Sequence, residues 1–199
     1  MMGRESRADD DPRYEPMGNF TPSRYGATLR SLIDPCPLME LGPGAPREEF
    51  RARLVAFDAG RDLGRPVTDI DAAAACHAGL WLLHDFWNEA HAIAQDLDTP
   101  EGAYWHAILH RREPDSFNAK YWLRRVGDHR IHHELSGFAA DFGVQGNGWD
   151  HWYGETFVDL CDEHRSRRDD AETGLRQLQL AEWQLLFHLC WQKATWPPG

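Results

Sequence analysis

Residues 69–98 read DIDAAAACHAGLWLLHDFWNEAHAIAQDLD, and this stretch decides the fold class. Its apolar residues recur at the spacing of an α-helix as far as Leu97. At its start, Thr68 followed three residues later by Asp71 matches a capping box, in which side chains satisfy the first backbone N–H groups. The pattern predicts one long helix over residues 69–98, and we expect it to lie at the centre of the fold.

Helix signals also occur on both sides of this stretch. Prolines and capping side chains stand where helices begin, and glycine or proline stands where they end. These signals predict helices that open at Pro46, run from Thr99 to Glu113, run from Asp115 to Gly127, lie within HHELSGFAADFG, open at Asp150, and run from Asp170 to Lys193. Because no segment alternates apolar and polar residues as a strand does, the sequence predicts an all-α, single-domain helical bundle of about six to seven helices.

The first 45 residues differ from the rest of the chain. They mix Asp, Arg, Gly and Pro with scattered aromatic residues and show no sustained period. This composition predicts a flexible N-terminal extension over residues 1–45. A helical domain is expected over residues 46–199.

Composition limits the expected partners and location. The formal net charge of −11 repels phosphates and anionic membrane surfaces, so we expect neither nucleic acid nor a membrane as a partner. No run approaches the roughly 18 apolar residues of a membrane span, and the N-terminus lacks the apolar core of a secretory signal, so the expected location is the cytoplasm. The four cysteines form no C-x-x-C pair and are expected to be reduced and mostly buried. The oligomeric state stays open at this stage.

A narrow polar stripe follows one side of the predicted long helix. It holds no Lys or Glu and consists of His77, His84, Asn88, His91 and Gln95. A solvated face normally carries charged residues, so these groups are expected to be partly buried and either hydrogen-bonded or bound to a metal ion. The alternative is that they only satisfy one another at a helix interface.

The next predicted helix places three more candidate ligands on one face. His106 and His110 are four residues apart, and Glu113 follows three residues later. A histidine pair at this spacing can bind one ion through two imidazoles. The residue after His106 is Ala107 and not Glu, which excludes the metalloprotease helix motif.

The C-terminal helix carries a carboxylate in an apolar setting. Glu182 lies at the centre of a stripe formed by Leu175, Leu178, Leu185, Leu186 and Leu189. An ionised group there needs a cation, because an unpaired buried charge is costly. A metal ion is one predicted partner, and an ion pair with Arg125 or a protonated Glu bonded to a tyrosine is an equal alternative.

These observations combine into one candidate site. Facing helices of a bundle can build a metal centre, and a mixture of carboxylate and histidine ligands suits zinc, iron or manganese. The predicted ligands are His91, His106, His110 and Glu182. Glu113 is predicted to be a further ligand or a general base.

A basic segment follows this candidate site in the sequence. Residues 111–130 hold an excess of arginine, whereas the rest of the chain is acidic. Guanidinium groups pair well with carboxylate and phosphate, so Arg111, Arg112 and Arg125 are predicted to orient a small anionic substrate. The alternative is a solvated helix face whose arginines pair with the acidic surface.

One block of the chain resembles a known family. GAYWHAILHRREPDSFNAKYWLRRVG at residues 102–127, together with HAIAQ at residues 91–95, resembles a segment of uncharacterised microbial and fungal proteins. The resemblance covers under a fifth of the chain. It implies neither an activity nor a set of site residues.

The sequence therefore predicts a metal-binding helical protein that acts as a metal-dependent enzyme on a small anionic substrate. The competing prediction is a non-enzymatic module that binds a small molecule or a partner protein, with the histidines in structural roles. The metal content of the purified protein distinguishes the two.

Overall fold

All regular structure that the computed structural model describes is helical. The described residues are 17–34, 38–144 and 150–196. They form a 3-10 helix (Pro22–Tyr25) and ten α-helices: α1 (Ala27–Ile33), α2 (Glu48–Val55), α3 (Ala59–Asp62), α4 (Ile70–Leu83), α5 (Trp87–Ala94), α6 (Pro100–Arg112), α7 (Ser116–Val126), α8 (His132–Asp141), α9 (Gly154–His164) and α10 (Asp170–Thr195). The all-α prediction is confirmed. The helix count exceeds the predicted six to seven, because α1 and α3 are too short to show a period and the predicted long helix is broken in two.

The predicted helix over residues 69–98 is two helices, α4 and α5, separated by a turn at residues 84–86. Asp85 has a backbone φ of 62°, a left-handed conformation that ends the helix and that Asp tolerates better than most residues. Its carboxylate is bonded to Arg112 at 2.5 Å, and Arg112 also donates to the carbonyl of Leu82 in the last turn of α4. A residue distant in sequence therefore stabilises this break, which no proline or glycine marks.

The start of α4 also differs from the predicted capping box. Asp69, and not Thr68, is the N-cap, and its carboxylate accepts the backbone N–H of Ala72. The hydroxyl of Thr68 instead donates to the carbonyl of Trp196 at 2.8 Å. The beginning of α4 is thereby tied to the end of α10.

Capping residues locate most of the other helix starts. Thr99 before α6 and Asp115 before α7 accept backbone N–H groups, as predicted. The predicted cap at Asp150 is wrong, since α9 begins at Gly154. Asp150 lies four residues earlier and accepts a hydrogen bond from the hydroxyl of Tyr153 at 3.4 Å.

The longest described helix is α10, and it is the central one. It packs on α4, α8 and α9, and most of its residues are buried. The indole N–H of Trp183 donates to the carbonyl of Gly79 in α4 at 2.8 Å, and that of Trp191 donates to the carbonyl of Leu63 at 2.9 Å. A helix that is buried on most of its circumference has partners on most sides, so α10 occupies the central position that the sequence predicted for residues 69–98.

The boundary predicted at residue 45 does not separate a flexible segment from the core. Side chains before that boundary join the same core as the later helices, among them Tyr25, Leu29, Leu32, Met39 and Leu41. The hydroxyl of Tyr25 lies 3.0 Å from Nδ1 of His188 on α10. The sequence pattern missed this contribution because each short segment buries only a few side chains. Residues 1–16 of the predicted extension lie outside the described residues.

The described helices include none that is long and apolar enough to cross a membrane. Three of the four cysteines, Cys76, Cys161 and Cys190, are buried free thiols, as predicted. Burial is the main cause that raises the pKa of Cys161 to about 12, so this thiol stays protonated and unreactive at neutral pH. Cys36 lies outside the described residues.

Candidate metal centre

Two neighbouring helices bring three of the predicted ligands together. His91 belongs to α5, and His106 and His110 belong to α6. Each histidine contributes one ring nitrogen to a set of three atoms that all lie within 4.8 Å of one another. Nε2 of His91 and Nε2 of His106 are only 2.8 Å apart. We refer to these side chains as the three-histidine cluster.

The spacing along α6 explains part of this geometry. His106 and His110 stand four residues apart on one helix face, and their rings are stacked with centroids 4.8 Å apart. His91 meets the ring of His106 edge-on, with centroids 4.5 Å apart. The helix period aligns His106 with His110, and the packing of α5 against α6 brings the imidazole of His91 next to them.

Two tryptophans pack on the rings of the cluster. The indole of Trp87 stacks on His91 at a centroid distance of 4.6 Å, and the indole of Trp122 on α7 stacks on His106 at 4.1 Å. Trp87 is itself held by a hydrogen bond from its indole N–H to the carbonyl of Leu109 at 3.3 Å. The sequence analysis missed Trp122, because no signal within α7 marks it as a neighbour of the histidines.

Burial keeps two of the three rings uncharged. It is the main cause that lowers the pKa of His106 to about 4, and the nearby His91 and His110 lower it further. Burial, followed by His110, also lowers the pKa of His91. A neutral imidazole keeps a lone pair on one nitrogen, which is the form that binds a metal ion. At neutral pH His91 and His106 are therefore uncharged potential donors.

Glu113 lies next to the cluster. Its Oε2 is 3.1 Å from Nδ1 of His110, and its side chain is about half exposed. A carboxylate in contact with a ligating histidine determines which ring nitrogen carries the proton. Glu113 also forms a second candidate group with His110 and Asp115, whose ligand atoms lie within 4.8 Å. The carboxylate of Asp115, however, is occupied by the N–H groups of Asn118 at the start of α7.

Glu182 does not join the three-histidine cluster. It is fully buried on α10, and its carboxylate is bonded to both terminal nitrogens of Arg111. The sequence allowed an ion pair as an alternative to a metal ligand, but with Arg125 as the partner. Because the Arg111 fork already satisfies the carboxylate, no uncompensated charge is left for a metal ion to neutralise. The structure therefore removes Glu182 from the predicted ligand set.

Two of the predicted substrate-binding arginines are buried and engaged. The guanidinium of Arg111, besides its pair with Glu182, lies 4.4 Å from the centre of the Phe157 ring. Arg112 donates to Asp85 and to three backbone carbonyls, those of Glu40, Gly42 and Leu82. Both side chains serve internal contacts because α6 is surrounded by other elements, so neither can orient a substrate as predicted.

Arg125 is the predicted anion-binding residue that reaches solvent. About half of its side chain is exposed, and its nearest carboxylate, that of Asp98, is 3.9 Å away. Its guanidinium lies 5.2 Å from the centre of the Trp122 ring. Since Trp122 stacks on His106, Arg125 lies at the outer edge of the three-histidine cluster.

The other histidines of the polar stripe have structural roles. Nε2 of His77 bonds the carbonyl of Leu54 at 3.0 Å, and Nε2 of His84 bonds the carbonyl of Leu32 at 2.9 Å. Each donor therefore satisfies a backbone acceptor at a helix interface. The alternative prediction was that the residues of the stripe satisfy one another, whereas these two histidines bond backbone carbonyls of α2 and α1.

Comparisons of the chain with protein families, with curated proteins and with solved structures find no match. The resemblance of residues 102–127 to microbial and fungal proteins stays a prediction. The function has to be inferred from the side chains around the cluster.

Proposed function

We propose that this protein is a metal-dependent enzyme whose ion is bound by His91, His106 and His110. The observation that carries the proposal is the convergence of three imidazoles, two of them nearly buried, within 4.8 Å. Three histidines that leave a further coordination position open are a ligand set of catalytic rather than structural metal sites. Of zinc, iron and manganese, the nitrogen donors favour zinc or iron.

Metal binding requires a small rearrangement of the cluster. A tetrahedral ion with bonds of about 2.0–2.1 Å separates its nitrogen ligands by roughly 3.3 Å. The Nε2 atoms of His91 and His106, now 2.8 Å apart, therefore have to separate by roughly 0.5 Å. His91 lies on the short helix α5 and is only partly buried, so we expect its ring to make most of this movement.

Glu113 supports His110 as a ligand. In the proposed site, Nδ1–H of His110 donates to Glu113, which leaves the lone pair of Nε2 for the metal ion. His106 lacks such support, since its Nδ1 is buried and makes no hydrogen bond with any described residue. We therefore expect an affinity about ten- to a hundredfold below that of a site in which every ligating histidine has an acceptor.

The proposed chemistry is the activation of water. A bound zinc ion lowers the pKa of its water to about 7, which supplies a nucleophile at neutral pH. Glu113 is half exposed and bonds Nδ1 of His110, on the side of that ring away from the proposed ion. We propose that it accepts a proton in the reaction through an intervening water. Arg125, at the edge of the cluster beside Trp122, is proposed to bind a small anionic substrate.

Titration with zinc tests the proposal. Protein made without a histidine tag and treated with a chelator should bind about one zinc ion per chain, and the double variant His106→Ala, His110→Ala should lose this binding. His164→Gln changes a histidine at the end of α9 and is the matched control, which should bind zinc as the unchanged chain does. Cobalt in place of zinc adds a visible spectrum that reports the coordination geometry. A stoichiometric ion retained in the double variant would overturn the proposal.

The competing function is a non-enzymatic module in which the histidines are structural. The 2.8 Å contact between the Nε2 atoms of His91 and His106 favours it, because these rings can satisfy each other without an ion. Under this function, the module binds an apolar small molecule or a partner protein. The purified protein would then bind no zinc, and a chelator would leave its Tm unchanged.

A further inference from the structure

A second group of histidines surrounds a cavity at the N-terminal end of α8. The cavity has a volume of about 430 Å³, and its lining includes His129, Arg130, His132, His133 and His151. None of these residues belongs to the three-histidine cluster. We refer to this place as the α8 cavity.

His129 is the most deeply buried of these residues. Only 6% of its surface is exposed, and neither of its ring nitrogens makes a hydrogen bond within the described ranges. Nε2 lies 3.7 Å from Oε1 of Glu101, which is beyond hydrogen-bond distance. Buried polar nitrogens normally have a hydrogen-bond partner. The unpartnered ring of His129 therefore indicates that a bound molecule completes its hydrogen bonds.

The negative charge of Glu101 is balanced by a lysine, so this carboxylate is not the missing hydrogen-bond partner of His129. Its carboxylate is bonded to Lys193 at 2.5 Å. Burial alone would raise the pKa of Glu101, but His129 and Lys193 outweigh this effect and lower it to about 2. The positive charge of Lys193 therefore balances the carboxylate behind His129, and the inner wall of the α8 cavity carries no uncompensated negative charge.

Nε2 of His132 presents an N–H donor to the α8 cavity and not a lone pair. Its Nδ1 accepts the backbone N–H of His129 at 3.2 Å, so the proton of the neutral ring is on Nε2. Burial, followed by His129 and His151, lowers the pKa of His132 to about 3, which keeps the ring neutral. Nε2 is buried and makes no hydrogen bond with the part of the chain that the structure describes. A buried N–H donor in this position needs an acceptor.

The same tautomer disfavours a metal ion in the α8 cavity. A metal would need the lone pair of Nε2, but the backbone bond to Nδ1 of His132 keeps the proton on Nε2. Residues 17–34, 38–144 and 150–196 contain two groups of three side chains whose ligand atoms are close enough to bind one ion. Both groups include His110, which does not line this cavity. A hydrogen-bond acceptor is therefore favoured over a cation.

The N-terminus of α8 and Arg130 favour a negatively charged acceptor in the α8 cavity. α8 begins at His132, and its N-cap, Ile131, provides no side-chain cap for the first backbone N–H groups. The positive end of the helix dipole and the guanidinium of Arg130 both attract an anion. The opposing carboxylates of Asp128 and Asp150 are exposed, so water screens them.

We propose that the α8 cavity binds a small oxyanion, a phosphate or a small carboxylate, through Nε2–H of His132, the ring of His129 and the guanidinium of Arg130. The inference goes beyond the proposed metal site and does not rest on it. Its residues are separate, so each proposal can fail while the other stands.

Inorganic phosphate is the first probe, with chloride at the same ionic strength as the reference. The Cε1–H NMR signals of His129 and His132 should shift saturably with phosphate, whereas the signal of His77 on α4 should stay constant. Acetate, tested in the same way, distinguishes a preference for carboxylate from one for phosphate. The proposal is overturned if neither anion produces a saturable shift at His129 and His132.

A pair of substitutions assigns the binding to the donor on His132. In His132→Asn the amide oxygen can still accept the backbone N–H of His129, but the Nε2 donor is lost, so the affinity for phosphate should fall at least about tenfold. In His132→Gln the side-chain amide reproduces the Nε2 donor, and this variant should retain more affinity than the Asn variant. Equal affinity of His132→Asn and the unchanged chain would contradict the proposal.

The matched control removes an arginine far from the α8 cavity in sequence. Arg167→Gln changes an exposed side chain that follows α9 and should leave phosphate binding as it is. If it weakened binding as much as His132→Asn does, the anion would be held only by general charge attraction and the proposal would fail. If the substituted chains do not fold, the chemical shifts of the unchanged protein still decide between binding and no binding.

Discussion

Nη1 of Arg111 on α6 lies 3.1 Å from Oε1 of Glu182 on α10, and both side chains are buried. The second terminal nitrogen of Arg111 bonds the other carboxylate oxygen, so the contact is a two-point fork. The pair joins the helix that carries His106 and His110 to the longest helix of the fold. Arg111 and Glu182 therefore position the three-histidine cluster indirectly, by holding α6 in place.

Removing one partner of this pair should be strongly destabilising. Glu182→Ala leaves the guanidinium of Arg111 buried without its counter-charge, and we expect a loss of about 3–5 kcal/mol in the free energy of unfolding. The double variant Arg111→Met, Glu182→Leu removes both charges and should recover most of that loss. Urea unfolding of the unchanged protein, of Glu182→Ala and of the double variant measures both the loss and the recovery.

An exposed ion pair provides the control for burial. Glu163 on α9 is 3.3 Å from Arg167, and both side chains are about half exposed. Glu163→Ala should cost under about 1 kcal/mol, because water screens this pair. A similar loss for Glu163→Ala and Glu182→Ala would contradict the argument from burial.

Removing the carboxylate beside His110 should weaken metal binding without abolishing it. Glu113→Gln replaces an ionised acceptor by a neutral amide next to Nδ1 of His110, and the affinity for zinc should fall about ten- to a hundredfold. Competition with a chromophoric chelator measures the change. Glu163→Gln is the control on another helix, and an unchanged zinc affinity in Glu113→Gln would exclude Glu113 from the site.

Lowering the pH should reduce stability before the protein reaches strongly acidic conditions. Burial is the main cause that lowers the pKa of His84 from 6.5 to about 4. Between these values the unfolded chain binds a proton at this position and the folded chain does not. Stability is therefore full above pH 6.5 and is lost as the pH falls toward 4, by up to about 3 kcal/mol for His84. Urea unfolding at several pH values across this range measures the loss.

His84→Gln isolates this contribution. The amide of Gln can donate to the carbonyl of Leu32, as Nε2 of His84 does at 2.9 Å, but it does not titrate. The variant loses the stacking of the imidazole on Phe50, at a centroid distance of 4.1 Å, so it should be less stable at neutral pH. Its stability should nevertheless change less with pH, and an unchanged pH dependence would assign the acid sensitivity to other groups.

Two glycines on helices should respond to alanine in opposite directions. A Cβ added to Gly79 on α4 would lie 2.7 Å from Cζ2 of Trp105, which is fully buried. Gly79→Ala should therefore destabilise by about 1–3 kcal/mol, although alanine favours a helix by about 1 kcal/mol. A Cβ on Gly137 in α8 meets nothing within 4 Å, so Gly137→Ala should stabilise by about 0.5–1 kcal/mol. Thermal unfolding of both variants checks the signs, and a gain at Gly79 would contradict the packing described here.

Local signals predicted the helices next to the candidate site well. The starts of α6 and α7 follow from Thr99 and Asp115, whose side chains cap backbone groups only three residues away. The end of α7 follows from Gly127, which adopts a positive φ of 67°. Such features depend on neighbours along the chain, so a single sequence contains them in full.

Features that depend on distant partners were missed or assigned to the wrong residue. The turn at Asp85 is stabilised by Arg112, which lies on a different helix. The burial of Tyr25 and of the segment around it depends on α10, whose His188 contacts Tyr25 across 163 residues of sequence. No periodic pattern records a contact of this kind, because the contact arises only when the helices pack.

The sequence by itself determined the all-α class and the alignment of His106 with His110, since both follow from the period of a single helix. Only the tertiary structure decided that His91 completes the cluster and that Glu182 belongs to a buried ion pair. The physical reason is that a helix period specifies which side chains share a face, whereas the packing of α5 and α10 against α6 specifies which faces meet.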